Sequence, residues 1–291
     1  MFVVAGVSGH TGRVVAETLL SQKQPIRVIV RDAAKGAEWK AKGAEVAVAS
    51  LDDSNALAAA LSGARGAYLL VPPQYGSDNM LLDQARVVDA IASAVKLSRI
   101  PHVVALSSVG AAHSEGTGPI RTVHRLEKAL EKSALHVTFL RASYFLENHG
   151  SVLGTAVQSG VFHTFLTLGR AIPMVATLDI GRTAAALLLE SAAGIRVVDL
   201  AGPADLTPEQ IAALVGELSG RDVQASFAPL EYVVPAMTAA GVGQNVAELL
   251  REMIGGINTG IVALSGPPAE LRRGTVTARE VLRGLLETAN A

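Results

Sequence analysis

Three glycines near the start of the chain, Gly6, Gly9 and Gly12, have a spacing that could hold a diphosphate. They follow a short apolar run, Phe2 to Ala5, and precede Val14, Val15, Leu19 and Leu20 at helical spacing. That pattern predicts a buried strand, a glycine turn and a helix opening near Thr11. Each glycine then has a task. Gly6 makes the tight turn off the strand, Gly9 lets backbone amides approach a pyrophosphate, and Gly12 lets the helix pack close to the strand. The first amides of the helix face the anion. Ser8, His10 and Thr11 lie in the same turn, with His10 placed to touch phosphate or ribose. A glycine-rich turn without a ligand is the competing interpretation; the flanking strand and helix favour the nucleotide.

Further candidates stand where later strands should end. Ile26 to Val30 stops at Arg31-Asp32. An acidic group there would bind the ribose hydroxyls of NADH, whereas a guanidinium fork matches a 2′-phosphate. Arg31 tips the reading to NADPH, and Asp32 keeps NADH possible. Val71 and Pro72 close the fourth strand, where proline ends a central ladder and turns the chain outward. Ser107 and Ser108 close the fifth and could reach the cofactor or a substrate carbonyl. His124 could orient a carbonyl or donate a proton, or could simply pair with Glu127 or Glu131. Tyr144 and Phe145 could wall a nicotinamide or a flat substrate, and Tyr75 could stack on one. His124 and Tyr144 are therefore the catalytic candidates. The cofactor candidates are Gly6, Ser8, Gly9, His10, Thr11, Gly12, Arg31, Val71, Pro72, Ser107 and Ser108.

Other chemistries find no footing. The remaining histidines show no ligand spacing, so no metal site is expected. No G-x-S-x-G elbow is present. The absence of cysteine excludes disulfides, thiolate sites and cysteine nucleophiles.

Positioning these residues requires a sheet. Apolar runs at Phe2–Ala5, 26–30, 45–49, 66–71, 102–106 and 135–140 alternate with helical patterns, which argues for a doubly wound α/β fold of Rossmann type. The expected strand order is 3-2-1-4-5-6, with Val197 to Leu200 as a seventh, edge strand. Asp52 and Asp53 cap a helix from Ser54 to Leu61. Residues 1–150 form the nucleotide-binding domain and 175–202 return to it. Residues 151–174, read as a lid or substrate wall, join 203–291 in a smaller α/β lobe on the substrate side. Within it, Thr207-Pro208-Glu209-Gln210 opens one helix and Thr277 caps the last.

The 291 residues are 49% hydrophobic with a net charge of −1, enough apolar material for a large core. No basic run or aromatic-studded basic surface points to nucleic acid. No apolar stretch is long enough for a membrane span, and no signal peptide is expected, because no basic n-region precedes the first strand. A cytoplasmic protein, monomer or homodimer, fits these features.

Taken in order, these motifs resemble the NmrA-like branch of the atypical short-chain dehydrogenases. Gly6-Val-Ser-Gly9-His-Thr-Gly12 looks like its GxxGxxG, and Val30-Arg31-Asp32 like its second-strand end, where Arg implies NADP. Leu51-Asp52-Asp53, Ser107-Ser108-Val109-Gly110, His124-x-x-Glu127 and Leu140-Arg141 through Glu147-Asn148 follow in the expected sequence. The resemblance implies an NADPH-dependent oxidoreductase acting on a quinone or similar small electrophile, or else a redox-sensing regulator that binds the cofactor without turnover. One departure matters. Where common short-chain enzymes carry Tyr-x-x-x-Lys, this helix reads Pro119-Ile-Arg-Thr-Val-His124-Arg-Leu-Glu127. Reduction of a simple ketone by that pair is not expected. A quinone asks less, because hydride addition yields an aromatic hydroquinone anion.

Overall fold

Short apolar strands and amphipathic helices alternate through the first half of the chain, and each helix crosses back to start the next parallel strand. The computed structural model describes residues 1–191 and 193–289. In chain order the first half runs β1 (Phe2–Val4), α1 (His10–Ser21), β2 (Ile26–Val30), α2 (Ala37–Ala41), β3 (Glu45–Val48), α3 (Ser54–Leu61), β4 (Gly66–Leu69), α4 (Met80–Ser98), β5 (His102–Ser108), α5 (Ile120–Ser133) and β6 (His136–Ala142). It continues with β7 (Tyr144–Phe145), α6 (Gly150–Ser159), β8 (Val161–Thr164), β9 (Ile172–Val175), α7 (Thr177–Leu189) and β10 (Ile195–Ala201). The last part holds β11 (Asp205–Leu206), α8 (Pro208–Ser219), β12 (Gln224–Phe227), α9 (Val233–Ala239), α10 (Gln244–Thr259), β13 (Glu270–Arg273) and α11 (Ala278–Ala289).

The large sheet has the order β13-β10-β6-β5-β4-β1-β2-β3. All its pairs are parallel, with Val3 at its middle opposite Arg27 on one side and Ala67 on the other. The order expected for the first six strands holds. The expected seventh strand is present, but it is not an edge: β13 covers it, pairing Val198 with Glu270 and Leu200 with Arg272. The sequence Glu-Leu-Arg-Arg lacks an apolar run, so no strand signal marked it. Charge holds it instead, since Arg196 and Arg272 each bridge Glu190 and Glu270. A charged edge also resists pairing with another chain.

Helices cover both faces. Val15, Ala16 and Leu19 of α1 share a core with Ile180, Ala184 and Leu188 of α7. The two helices touch so closely that a Cβ on Gly181 would lie 2.4 Å from that of Val14. Leu57 and Leu61 of α3, Val88 and Ile91 of α4, and Leu126 and Leu130 of α5 fill the opposite face. A third core lies beyond the carboxyl ends of β5 and β6. It packs Val109, Ala111 and Leu146 against Leu153, Phe162, Val215, Ile257 and Leu282. Residues 150–174 are not a loose wall: α6, β8 and β9 belong to this core, with β8 paired to β12 and β9 held between β7 and β11. The helix starts read from local signals are in place. Asp53 accepts from the amides of Asn55 and Ala56, Thr207 and Gln210 form a capping box, and Thr277 pairs with Glu280. Among the described residues no helix is long and apolar enough to cross a membrane, and no cluster of potential metal ligands occurs.

Candidate active site

The β1–α1 turn is built to bring main chain against a ligand. Gly6 has φ +70°, and its carbonyl accepts from the Gly9 amide at 2.9 Å. A Cβ on Gly12 would lie 2.4 Å from the Gly6 carbonyl oxygen and 2.5 Å from that of Ala5, so no other residue fits there. Helix α1 begins without a side-chain cap and without an acidic residue in its first turn. The amide of Arg13 is the first to find a partner, the Gly9 carbonyl at 3.2 Å. The amides of His10, Thr11 and Gly12 are left for an anion. Ser8, Gly9 and His10 are exposed at the tip. The Thr11 side chain is buried, and its hydroxyl accepts from the Tyr68 phenol at 2.9 Å, which leaves its amide as the group for a cofactor.

At the end of β2 the two candidates separate. The Asp32 carboxylate accepts from the Ala34 amide at 2.9 Å and caps the turn Ala33–Gly36. It is thereby drawn away from a ribose. Arg31 is exposed and takes no part in the ion pairs of this end, which join Arg13, Lys42, Glu17 and Glu38. Beside it a cavity of about 300 Å³ is lined by Val7, Ser8, Val30, Lys35 and Trp39 with the Arg13–Glu38 pair. This is where the fold places the adenosine ribose, and an arginine with no carboxylate partner suits a 2′-phosphate.

The other half of the carboxyl edge carries the reactive candidates. Val71 and Pro72 are half-buried after β4. The Pro72 carbonyl accepts from Gln84 at 3.1 Å, and Thr122 orients that amide at 2.6 Å, so α4 and α5 together fix the turn. Ser108 is half-buried and opposite Ala142 in the β5–β6 ladder. Tyr144 follows two residues later, in β7 against Met174. Burial pushes its phenol up to about 12. It therefore stays protonated at neutral pH and can donate a hydrogen bond. His124 is half-buried, and its Nδ1 donates to the Ala111 carbonyl at 2.8 Å. That bond fixes the tautomer and leaves Nε2 as the atom that can meet a substrate. The alternative pairing with Glu127 or Glu131 does not occur, because those carboxylates bind Arg141 and Lys128.

Ser107 does not offer its hydroxyl to a ligand. It is buried and donates to Glu127 at 2.5 Å. Glu127 is in turn held by Arg141 through two bonds of 2.9 and 2.6 Å. Arg141 continues to the Ser265 hydroxyl at 3.0 Å, and Ser265 binds Asp199 through both its amide and its hydroxyl. This chain, buried from Ser107 to Arg141 and reaching the surface at Ser265, ties β5, α5, β6 and β10 to the segment before β13. From sequence, Glu127 and Arg141 drew attention as motif positions only. Their mutual charge was the one available signal, and nothing in the sequence joined them to Ser265 or Asp199.

Comparison with known proteins follows the same line. The NmrA-like family model matches residues 1–260. The chain is 26% identical over 253 residues to an NAD(P)H azoreductase of Xenophilus azovorans, covering 87% of this chain and 86% of that protein. It is 27% identical over 263 residues to quinone oxidoreductase 2 of Escherichia coli, covering 89% of each. The crystal structure of an Escherichia coli NADPH-dependent quinone oxidoreductase complexed with NADPH matches with a TM-score of 0.83 at 24% identity, over 98% of this chain and 100% of that one. A Citrobacter sp. triphenylmethane reductase complexed with NADP(H) matches at 0.82 and 21% identity, over 98% and 99%. At these identities the two structures speak to the fold.

Proposed function

The chain belongs to the NmrA-like family, and from that premise we propose that it is an NADPH-dependent oxidoreductase delivering a hydride to a quinone or a similar small, flat electrophile. The observation that carries the reading is the uncapped, glycine-lined start of α1, which opens on the same carboxyl edge as Ser108, His124 and Tyr144. The relatives support the acceptor class, since by name they are an azoreductase and a quinone oxidoreductase. NADPH, when bound, supplies the hydride. The amides of His10, Thr11 and Gly12 hold the diphosphate, and Arg31 holds the 2′-phosphate. Val71 and Pro72 form a wall of the mouth, with the Ser108 hydroxyl beside them. NADH fits the same cradle with less to bind at Arg31.

The residues at the acceptor end do modest chemistry. Tyr144 keeps its proton and hydrogen-bonds to a substrate oxygen. His124 Nε2 accepts a hydrogen bond when neutral and donates one when protonated. Neither has to stabilise a full alkoxide, because the reduced quinone carries its charge on an aromatic oxygen. Holding two rings in register is then most of the catalysis. The missing Tyr-x-x-x-Lys pair also leaves room for a cofactor-sensing regulator. A steady-state assay of NADPH oxidation with benzoquinones and naphthoquinones separates the two. Turnover with equimolar hydroquinone formation supports the enzyme. Tight NADPH binding with no oxidation by any acceptor overturns it in favour of the sensor. A cytoplasmic protein, monomeric or dimeric, with residues 151–174 and much of 203–291 forming the substrate side, completes the proposal.

A further inference from the structure

We propose that Glu38 tunes the choice between NADPH and NADH by holding Arg13 away from the 2′-phosphate position. The proposal deepens the cofactor reading above and rests on it. Arg13 and Glu38 both line the cavity beside Ser8 and Lys35. The guanidinium donates to Glu38 through both terminal nitrogens, at 2.6 and 3.2 Å. Lys42 donates to Glu38 and to Glu17, each at 2.9 Å. Arg13 and Lys42 both lie over the buried Trp39 ring, 5.4 and 4.9 Å from its centroid. The four side chains thus form a closed set of two cations and two carboxylates on a rigid aromatic platform.

That set has no net charge to offer, although a phosphate monoester brings a charge of about −1.5 to −2. Arg13 is the first, and Lys42 the second, of the groups that hold the Glu38 carboxyl down to about 2, so it is ionised at neutral pH. A 2′-phosphate entering the cavity therefore meets a carboxylate already occupying the arginine's fork. One guanidinium edge can pair in bidentate fashion with carboxylate or with phosphate, but not with both. Binding of NADPH requires Arg13 to change partners, and the Trp39 face keeps the guanidinium within reach while it does so. NADH presents a ribose hydroxyl instead, which Glu38 can accept from directly. Arg13 favours the phosphorylated cofactor, and Glu38 opposes it. Arg31 on the strand end is a cation that none of these carboxylates holds.

The test titrates wild type, Glu38→Gln and Arg13→Gln with NADPH and with NADH by calorimetry. Emission of Trp39, the chain's one tryptophan, gives a second readout from the cavity itself. Glu38→Gln should tighten NADPH by about three- to fivefold, the range of an exposed ion pair, and raise the ratio of NADPH to NADH affinity. Arg13→Gln should lower that ratio, and both effects should shrink in high salt. A ratio unchanged or lowered in Glu38→Gln, with the variant melting normally, overturns the proposal. Failure of the underlying reading has a different signature. In that case wild type binds no NADPH, or Arg31→Ala weakens both cofactors equally. If Arg31→Ala is selective and Glu38→Gln is silent, only the role of Glu38 is lost.

Discussion

The two halves of the carboxyl edge are made of different material. The β1–α1–β2 half is main chain: glycines at fixed spacing, an uncapped helix start and an exposed arginine on a strand end. The β5–β6 half is side chain: buried Ser107, Glu127, Arg141 and Asp199, joined in one relay through the exposed Ser265. In the proposed reading, main-chain geometry binds what every nicotinamide cofactor shares. A relay of charges and hydroxyls ties together β5 and α5, the elements that carry Ser108 and His124. The first half fails by losing its shape or the arginine at its edge, and the second by losing its charge balance.

The largest expected effect lies in the second half. Arg141→Met leaves the Glu127 carboxylate, 2% exposed, with Ser107 as its remaining partner. Breaking a buried pair in this way costs about 3–5 kcal/mol, measured by urea denaturation. Glu127→Leu combined with Arg141→Met should recover most of it. A loss below about 1 kcal/mol in the single variant would return the relay to the rank of a surface pair.

Acid should weaken the same half next. His149 is 4% exposed between Tyr144 and Phe162, and burial pushes its imidazole down to about 4. Its folded value lies below the unfolded one, so its contribution is intact above about pH 6.5 and is lost as pH falls towards 4. The shift amounts to about 3 kcal/mol at most. Burial lowers His102 as well, so some acid sensitivity persists without His149. In denaturation curves across this range, His149→Phe should flatten the slope. Parallel slopes for variant and wild type would show that His149 is not the titrating group.

The smallest effect, and the most selective, belongs to the first half. Arg31→Ala should weaken NADPH by about tenfold, the worth of a charge-assisted hydrogen bond, and NADH much less. Equal losses in calorimetric titrations would remove the 2′-phosphate role.

What the sequence disclosed follows the same division. The glycine turn, Arg31, the Asp53 cap and the Thr207 capping box are local, each set by residues a few positions apart. Strand order followed from βα alternation, because right-handed crossovers leave few choices. The relay was hidden because Glu127, Arg141, Asp199 and Ser265 lie far apart in sequence and meet only through strand pairing. β13 was hidden because ion pairs, rather than apolar residues, attach it to β10. The positions of Thr11 and Ser107 were legible but the engagement of their hydroxyls was not, for one reason. A strand end or turn tells where a residue lies but not whether a buried partner, here Tyr68 or Glu127, has already taken its hydroxyl.

The central claim is that bare main chain at Gly9 admits the cofactor's diphosphate. A Cβ there would meet nothing nearer than the Gly6 carbonyl oxygen at 3.4 Å, so the substitution leaves the turn room to fold. A titration of wild type and Gly9→Ala with NADPH, followed through Trp39 emission, tests the claim directly. The account predicts saturable one-to-one binding in wild type, and its loss in a variant that still folds by circular dichroism. A wild type that does not bind, or a folded Gly9→Ala that binds as tightly, would contradict it.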